Sequence, residues 1–152
     1  MIEIKRILVP TDFSEPGRNA LSYAVAFADQ FGAAVELLHV VEPLPTGTLL
    51  SYTSIDDLRH SMLKEAEQQL EGLHSAWADY AFPVHRSVVE GFAFVEILKH
   101  AKESNADLIV MGTHGRGAVA HMLLGSVAEK IVRKAPCPVL TVRHPEHEFV
   151  HP

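Results

Sequence analysis

The chain is poor in cysteine and in positive charge. Cys137 is its one cysteine, so an internal disulfide and a thiolate metal site are both excluded, and nothing requires an oxidising compartment. There are 13 Lys and Arg against 19 Asp and Glu, a net charge of −6. Because wrapping a nucleic acid needs a basic face, this balance argues against a nucleic-acid partner. A small anionic ligand needs only local positive potential and is compatible with it.

Long hydrophobic runs are also absent. No stretch of about 18 apolar residues occurs, and Lys5 and Arg6 precede only three apolar residues near the N-terminus. We therefore expect neither a membrane span nor a signal peptide, and we expect a cytoplasmic protein.

Length and composition indicate one globular domain. The 152 residues are 47% hydrophobic and 21% charged, close to the average for globular domains. We place the domain at residues 1–143 and a C-terminal tail at residues 144–152.

Short apolar runs alternate with helix-length segments along the chain. The runs are rich in Ile, Val and Leu, as is typical of strands buried on both faces, and cover residues 7–10, 33–41, 84–89, 108–111 and 138–142. The order βαβαβαβαβ predicts a single doubly wound α/β domain with a parallel sheet and helices on both faces. Ligands of such sheets bind beyond the carboxyl ends of the strands, where the winding reverses.

Helix signals lie between these runs. Ser14 is a good N-cap for the first helix, and Gly32 is a good C-terminal stop. The second helix is predicted over residues 55–80 from an apolar stripe at steps of three and four, after a surface loop at residues 42–54. Further helices are predicted around residues 94–101 and over 126–134.

Glycines crowd together after the fourth predicted strand. Gly112, Gly115, Gly117 and Gly125 place four of the nine glycines within fourteen residues. Successive N–H groups in such a segment can cradle phosphate oxygens, and the start of the following helix favours the same anion. Ser126 adds a hydroxyl there, and Arg116 adds positive charge.

Two common phosphate motifs fit poorly. A Walker motif needs Gly-Lys-Ser/Thr, but Gly125 is followed by Ser126 and Val127. Gly115, Gly117 and Ala120 match GxGxxG/A, yet they follow the fourth strand, and no acidic residue ends a second strand about 20 positions on.

The glycine pattern instead resembles the universal stress protein family. Its nucleotide-binding members carry Gly-x2-Gly-x9-Gly-Ser/Thr after the fourth strand, matched here by Gly112, Gly115, Gly125 and Ser126. The likeness extends over nearly the whole chain, through ILVPTDFSE, LLHVVE, ADLIVMGTHGRG, LLGSVAEKIV and CPVLTV. One departure is Gly91-Phe92-Ala93-Phe94, where relatives often have proline or small residues.

This resemblance implies a sheet order of 3-2-1-4-5, with ATP at the carboxyl edge, Mg²⁺ bridging its phosphates, and a dimer. By likeness Asp12 and Val40 would hold the adenosine half, and Gly112 would line the turn beneath the ribose. The phosphates would be held by Gly115, Gly125 and Ser126. The candidate nucleotide-binding residues are Pro10, Thr11, Asp12, Val40, Met111, Gly112, His114, Gly115, Arg116, Gly125, Ser126 and Val127.

Several of these residues have simpler interpretations. Ser126 and Glu129 form the capping-box pattern S-x-x-E, which explains both as helix-start chemistry. Asp12 fits a role in the turn into the first helix, His114 fits a role in stabilising its loop, and Arg116 fits a solvated side chain.

Other chemically versatile residues are expected to be structural. Cys137, between two prolines, is interpreted as a small buried hydrophobe. His39 is expected in the core, and His60, His74, His85 and His100 are expected to be exposed. A metal site formed by the tail residues His144, His147, Glu148 and His151 is a weaker hypothesis.

We therefore expect an ATP-binding, nucleotide-responsive regulatory or protective module that serves an unidentified protein partner. The alternatives are a slow ATP-hydrolysing enzyme and a nucleotide-free interaction protein. A receiver-like phosphoacceptor would need an aspartate ending the third strand, where the chain has Val88, Val89 and Glu90. We also expect a homodimer through the fifth strand, at residues 138–142, against the alternative of a monomer whose tail covers that edge.

Overall fold

The computed structural model of the chain describes residues 1–44, 52–114 and 124–143. Strands and helices alternate through these residues in the predicted order. The elements are β1 (Arg6–Pro10), α1 (Glu15–Phe31), β2 (Ala34–Val41), α2 (Tyr52–Ser75), β3 (Val84–Glu90), α3 (Ala93–Glu103), β4 (Leu108–Gly112), α4 (Ser126–Lys134) and β5 (Val139–Val142).

The five strands form one parallel sheet. Their order is β3-β2-β1-β4-β5, and every neighbouring pair is parallel. This confirms the predicted doubly wound topology and its 3-2-1-4-5 order. The winding direction reverses between β1 and β4, so their carboxyl ends open a crevice.

Apolar residues cover both faces of the sheet. On one face, Ile7, Val9 and Leu37 pack against α1 and α2. On the other face, Leu8 and Ile109 pack against α3 and α4. Burial on both faces explains why the central strands read as continuous apolar runs.

Both ends of α1 confirm the signals in the sequence. Ser14 is its N-cap, and the Ser14 side chain accepts a hydrogen bond from the N–H of Gly17. Gly32 ends the helix at φ 65°, in the left-handed region where a glycine carries no steric cost.

Helix α2 differs from its predicted bounds. It begins at Tyr52 and ends at Ser75, so the prediction of a helix to residue 80 is wrong. The N–H of Trp77 bonds to the carbonyl of His74, and that of Tyr80 to the carbonyl of Trp77. Hydrogen bonds three residues apart form tighter turns than an α-helix. Apolar residues therefore still recur every three positions after the helix has ended. The predicted loop at residues 42–54 is correspondingly shorter, and residues 45–51 lie outside the described part of the chain.

The histidines are less uniform than expected. His60 and His85 are exposed, as predicted, but His74 is half-buried. The prediction for His100 is also wrong, because its side chain is 20% exposed and its Nε2 contacts the carboxylate of Glu36. A carboxylate on β2 gives the ring a polar partner beneath α3, and a sequence pattern cannot show that pairing.

The surroundings of Cys137 test its interpretation as a small buried hydrophobe. Cys137 packs at the edge of the α3/α4 cluster and is half-buried, less than predicted. This partial burial raises the pKa of its thiol. A thiol with a raised pKa is a poor nucleophile, in agreement with its interpretation as a hydrophobe.

Within the described residues, no helix is both long and apolar enough to span a membrane.

Candidate functional site

A cavity of about 550 Å³ lies at the carboxyl ends of β1, β2 and β4. This is the crevice that the reversal of winding opens. Of the twelve candidate residues, ten line the cavity: Pro10, Thr11, Asp12, Val40, Met111, Gly112, His114, Gly125, Ser126 and Val127. The other two, Gly115 and Arg116, lie outside the described residues, as does Gly117.

The turn from β1 into α1 forms one wall of the cavity. The Asp12 carboxylate accepts a hydrogen bond from the N–H of Ser14 at 3.0 Å and contacts the Ser14 hydroxyl. The N–H of Phe13 donates to Thr11 Oγ1 at 3.1 Å. Asp12 therefore has the turn-stabilising role that its position suggests, and it also lines the cavity.

Gly112 lies where β4 passes closest to α1. A Cβ atom at Gly112 would lie 3.0 Å from the backbone carbon and oxygen of Pro16. Backbone atoms at the start of a helix cannot easily move aside. The close approach of strand and helix is thus sufficient reason for a glycine here, whatever occupies the cavity.

The start of α4 forms a second wall. The N–H of Gly125 donates to the carbonyl of Thr113 at 2.6 Å, which brings Gly125 back to the end of β4. Gly125 then acts as the N-cap of α4 in an extended conformation, without a capping hydrogen bond from any side chain among the described residues. The first N–H groups of a helix carry partial positive charge, so this wall favours an anion.

The capping-box interpretation of Ser126 is wrong. A capping box needs Ser126 in the N-cap position, but Gly125 occupies that position and Ser126 is the first helical residue. The carboxylate of Glu129 instead lies 2.9 Å from Arg133 Nη2, one turn further along the helix. The Ser126 side chain is therefore not explained by capping.

Thr113, directly after β4, is buried and hydrogen-bonded. It is 2% exposed, and its N–H donates to the carbonyl of Val142 on β5 at 3.0 Å. Its Oγ1 lies 2.9 Å from Nδ1 of His114. His114 is thus anchored by its own loop, in agreement with the loop-stabilising interpretation, and it also lines the cavity.

His39 is a site residue that the sequence did not reveal. The prediction of a core position is wrong, because the ring is half-buried and lines the cavity. Its Nδ1 lies 2.7 Å from the carbonyl oxygen of Thr11, and its ring centroid is 4.5 Å from that of Phe13. Its place near the carboxyl end of β2 was a usable signal, since that end borders the crevice.

Helix α2 supplies the remaining unpredicted wall. Met62, Glu65, Ala66 and Gln69 recur at helical spacing and line the cavity. Their pattern in the sequence is that of an ordinary amphipathic helix. Nothing in it distinguishes the residues over the cavity from those over the core.

Carboxylates line the cavity, but the described residues do not gather them into a metal cluster. Asp12, Glu42 and Glu65 line it, and Glu42 Oε1 accepts a hydrogen bond from the N–H of Ala93 at 3.2 Å. Over residues 1–44, 52–114 and 124–143, no group of three His, Cys, Asp or Glu side chains is placed to hold a metal ion. The histidines of the tail, at residues 144–152, fall outside these ranges.

Comparison with known proteins identifies the family. The model of the Universal stress protein family matches residues 3–143. The chain belongs to the universal stress protein family. Among related members, a universal stress protein of Methanocaldococcus jannaschii is 34% identical over 144 residues, which is 95% of this chain and 85% of the relative.

Solved structures agree with this assignment. A second universal stress protein of M. jannaschii is 33% identical, with a TM-score of 0.86 over 96% of this chain and all of that one (100%). A universal stress protein solved in complex with cAMP is 25% identical, with a TM-score of 0.65 over 93% of this chain and 98% of that one. The family and its fold are thus supported by sequence and by structure.

Proposed function

We propose that the cavity binds ATP, with Mg²⁺ bridging the phosphates, and that nucleotide binding governs a regulatory or protective role in the cytoplasm. The observation that carries the proposal is that the start of α4, which no side chain caps among the described residues, opens into the same cavity as Asp12 and Val40. Such a cavity can hold a ligand with one anionic part and one hydrogen-bonding, largely apolar part.

The chemistry of the walls fits the parts of an adenine nucleotide. The N–H groups that follow Gly125, together with the Ser126 hydroxyl, suit phosphate oxygens. The turn at Asp12 and the β2 backbone near Val40 suit a nucleoside. The cAMP complex of a relative supports this class of ligand, since cAMP combines adenine, ribose and phosphate.

The residues near the cavity also suit a metal held mainly by the ligand. Bound Mg²⁺ usually keeps several waters and takes one or two carboxylates together with substrate phosphates. The described residues form no three-ligand cluster, so phosphate oxygens and waters would supply most of the coordination. When bound, Mg²⁺ would neutralise phosphate charge beside a chain of net charge −6.

The expected affinity is micromolar. A micromolar dissociation constant corresponds to a binding free energy of about 8 kcal/mol. A few charge-assisted hydrogen bonds of about 1.5 to 3 kcal/mol each, together with burial of the base, reach this scale. Hydrolysis should be slower than ~1 s⁻¹, the low end for enzymes, because the sequence has no Walker lysine.

Equilibrium dialysis with labelled ATP and Mg²⁺ tests the proposal through Gly125→Val. Gly125 has φ −68° and ψ 160°, which valine also adopts, so the variant should fold. Its branched side chain would crowd the N–H groups beside it, and we expect at least a tenfold loss of affinity.

Gly72→Val is the matched control. Gly72 lies in α2, and a Cβ atom added there would meet nothing within 4 Å outside the helix's own backbone. We expect this variant to bind ATP as the wild type does. Equal binding by Gly125→Val and Gly72→Val would contradict the assignment of the phosphates to α4.

A further inference from the structure

His39 lies on β2, beside the turn that joins β1 to α1. We propose that His39 is a positioning residue for the nucleotide site, and that it holds this turn so that Asp12 keeps its place in the cavity wall. The inference rests on the proposed function, since it concerns the same site.

The hydrogen bond of His39 determines which ring nitrogen carries a proton. Nδ1 lies 2.7 Å from the carbonyl oxygen of Thr11. A carbonyl oxygen only accepts hydrogen bonds, so Nδ1 must carry the proton. The N–H of Thr11 in turn donates to the carbonyl of Leu38 at 2.9 Å. Strand β2 therefore binds both backbone polar groups of Thr11.

Phe13 makes the turn dependent on its surroundings. Its φ is 63°, in the left-handed region, where a bulky residue stays only if neighbouring groups hold it. The ring of His39 lies against the ring of Phe13, with 4.5 Å between centroids and 32° between planes. His39 thus contacts the turn on both sides of Asp12.

The peptide plane links His39 to Asp12. The carbonyl that His39 binds and the N–H of Asp12 belong to one planar peptide group, so they rotate together. Without the donor on His39, this plane loses the bond that fixes its orientation. The Asp12 carboxylate, bonded to the N–H of Ser14 at 3.0 Å, would then shift relative to the cavity.

Two substitutions separate the donor from the ring. His39→Phe keeps an aromatic ring beside Phe13 but removes the donor. His39→Asn keeps a donor, because its amide nitrogen is as many bonds from Cβ as Nδ1 is. We expect His39→Phe to weaken ATP binding about tenfold, the factor for one hydrogen bond of about 1.4 kcal/mol. We expect His39→Asn to stay within about threefold of the wild type.

Calorimetry with ATP and Mg²⁺ measures these affinities. His85→Phe makes the same change at an exposed position on β3 and should leave the affinity unchanged. A purely structural ring would be replaced better by phenylalanine than by asparagine. Wild-type affinity in His39→Phe, or equal losses in the two His39 variants, would overturn the proposal.

NMR of the ligand-free protein tests the hydrogen bond of His39 without any nucleotide. Long-range ¹H–¹⁵N spectra of the wild type should show a protonated Nδ1 on His39. An unprotonated Nδ1 contradicts the positioning role and leaves the proposed function standing, whereas absence of ATP binding by the wild type contradicts the proposed function and the role that rests on it.

Discussion

Gly112 and Gly125 share one sequence motif, but their surroundings differ. At Gly112 a side chain would meet the backbone of Pro16 at 3.0 Å. At Gly125 the backbone is extended and begins a helix at the cavity. A substitution at Gly112 therefore tests packing, whereas one at Gly125 tests ligand binding.

Gly112→Ala should destabilise the fold. The added methyl group would force β4 and α1 apart, and overpacking of this kind typically costs about 1 to 3 kcal/mol. Urea unfolding measures the change. Gly72→Ala, at an open helical position, should be neutral or stabilising by up to about 1 kcal/mol. Equal stability of Gly112→Ala and the wild type would show that the strand and helix are not closely packed there.

Some site residues could be predicted from the sequence, and others could not. Asp12 is the second residue after β1, so topology alone places it at the crevice. His39 lies within a strand, and only the structure shows its ring against Phe13. The left-handed φ of Phe13 could not be predicted either, since the position has neither a glycine nor an asparagine, the residues that usually adopt this conformation.

The bounds of α4 could be predicted from the sequence, but its N-cap could not. The sequence predicts residues 126–134, as the structure has them. The hydrogen bond from Gly125 to Thr113 brings the cap residue back to the end of β4. With this tertiary contact Gly125, and not Ser126, is the N-cap. The local sequence does not predict the contact.

An ion pair joins α2 to the end of β3. Arg59 Nε and Nη2 donate to the two carboxylate oxygens of Glu90 at 2.6 and 2.7 Å. The hydrogen bond from Arg59 lowers the pKa of Glu90 below its ordinary 4.5. The unfolded chain therefore binds more protons than the folded chain in the interval between the two pKa values.

Arg59→Gln should lower stability only where Glu90 is charged. The contribution of the pair is complete above pH 4.5 and is lost as the pH falls through the lower, folded pKa. Both groups are exposed, so we expect a small effect that high salt weakens further. Urea unfolding at neutral and strongly acidic pH measures it, with Lys64→Gln on the same helix as the control. A difference from the wild type that persists unchanged in acid would contradict the pairing.

The topology of the sheet was the most predictable feature of the fold. Alternating strands and helices with buried parallel strands admit few arrangements, and the family resemblance selects one order. The wall contributed by α2 was not predictable, because it depends on how the helix lies across the sheet. Met62 and Ala66 show this, since they belong to the same apolar stripe as the core residue Leu70.

The position of β5 at the sheet edge supports the proposal of a homodimer. The carbonyls of Pro138 and Val142 accept hydrogen bonds from β4 and the residue that follows it. Because strand residues alternate in direction, the backbone groups of Val139 and Thr141 face the free edge. Two such edges can pair about a twofold axis and satisfy each other's donors and acceptors.

Thr141→Pro should weaken this dimer, because it removes a donor from the free edge. Thr141→Val keeps the donor and serves as the control. Light scattering at micromolar concentration should give twice the chain mass of 16.7 kDa for the wild type and the control. A wild-type mass near 16.7 kDa would leave the chain a monomer and end the proposal.

The proposed function requires that the cavity at the carboxyl edge bind ATP. Isothermal calorimetry of the wild-type chain with ATP and Mg²⁺ measures this binding. We expect a saturable heat with one nucleotide per chain and a dissociation constant in the micromolar range, which corresponds to a binding free energy of about 8 kcal/mol. Absence of binding at millimolar ATP, from a protein that is folded by circular dichroism, would contradict the proposed function.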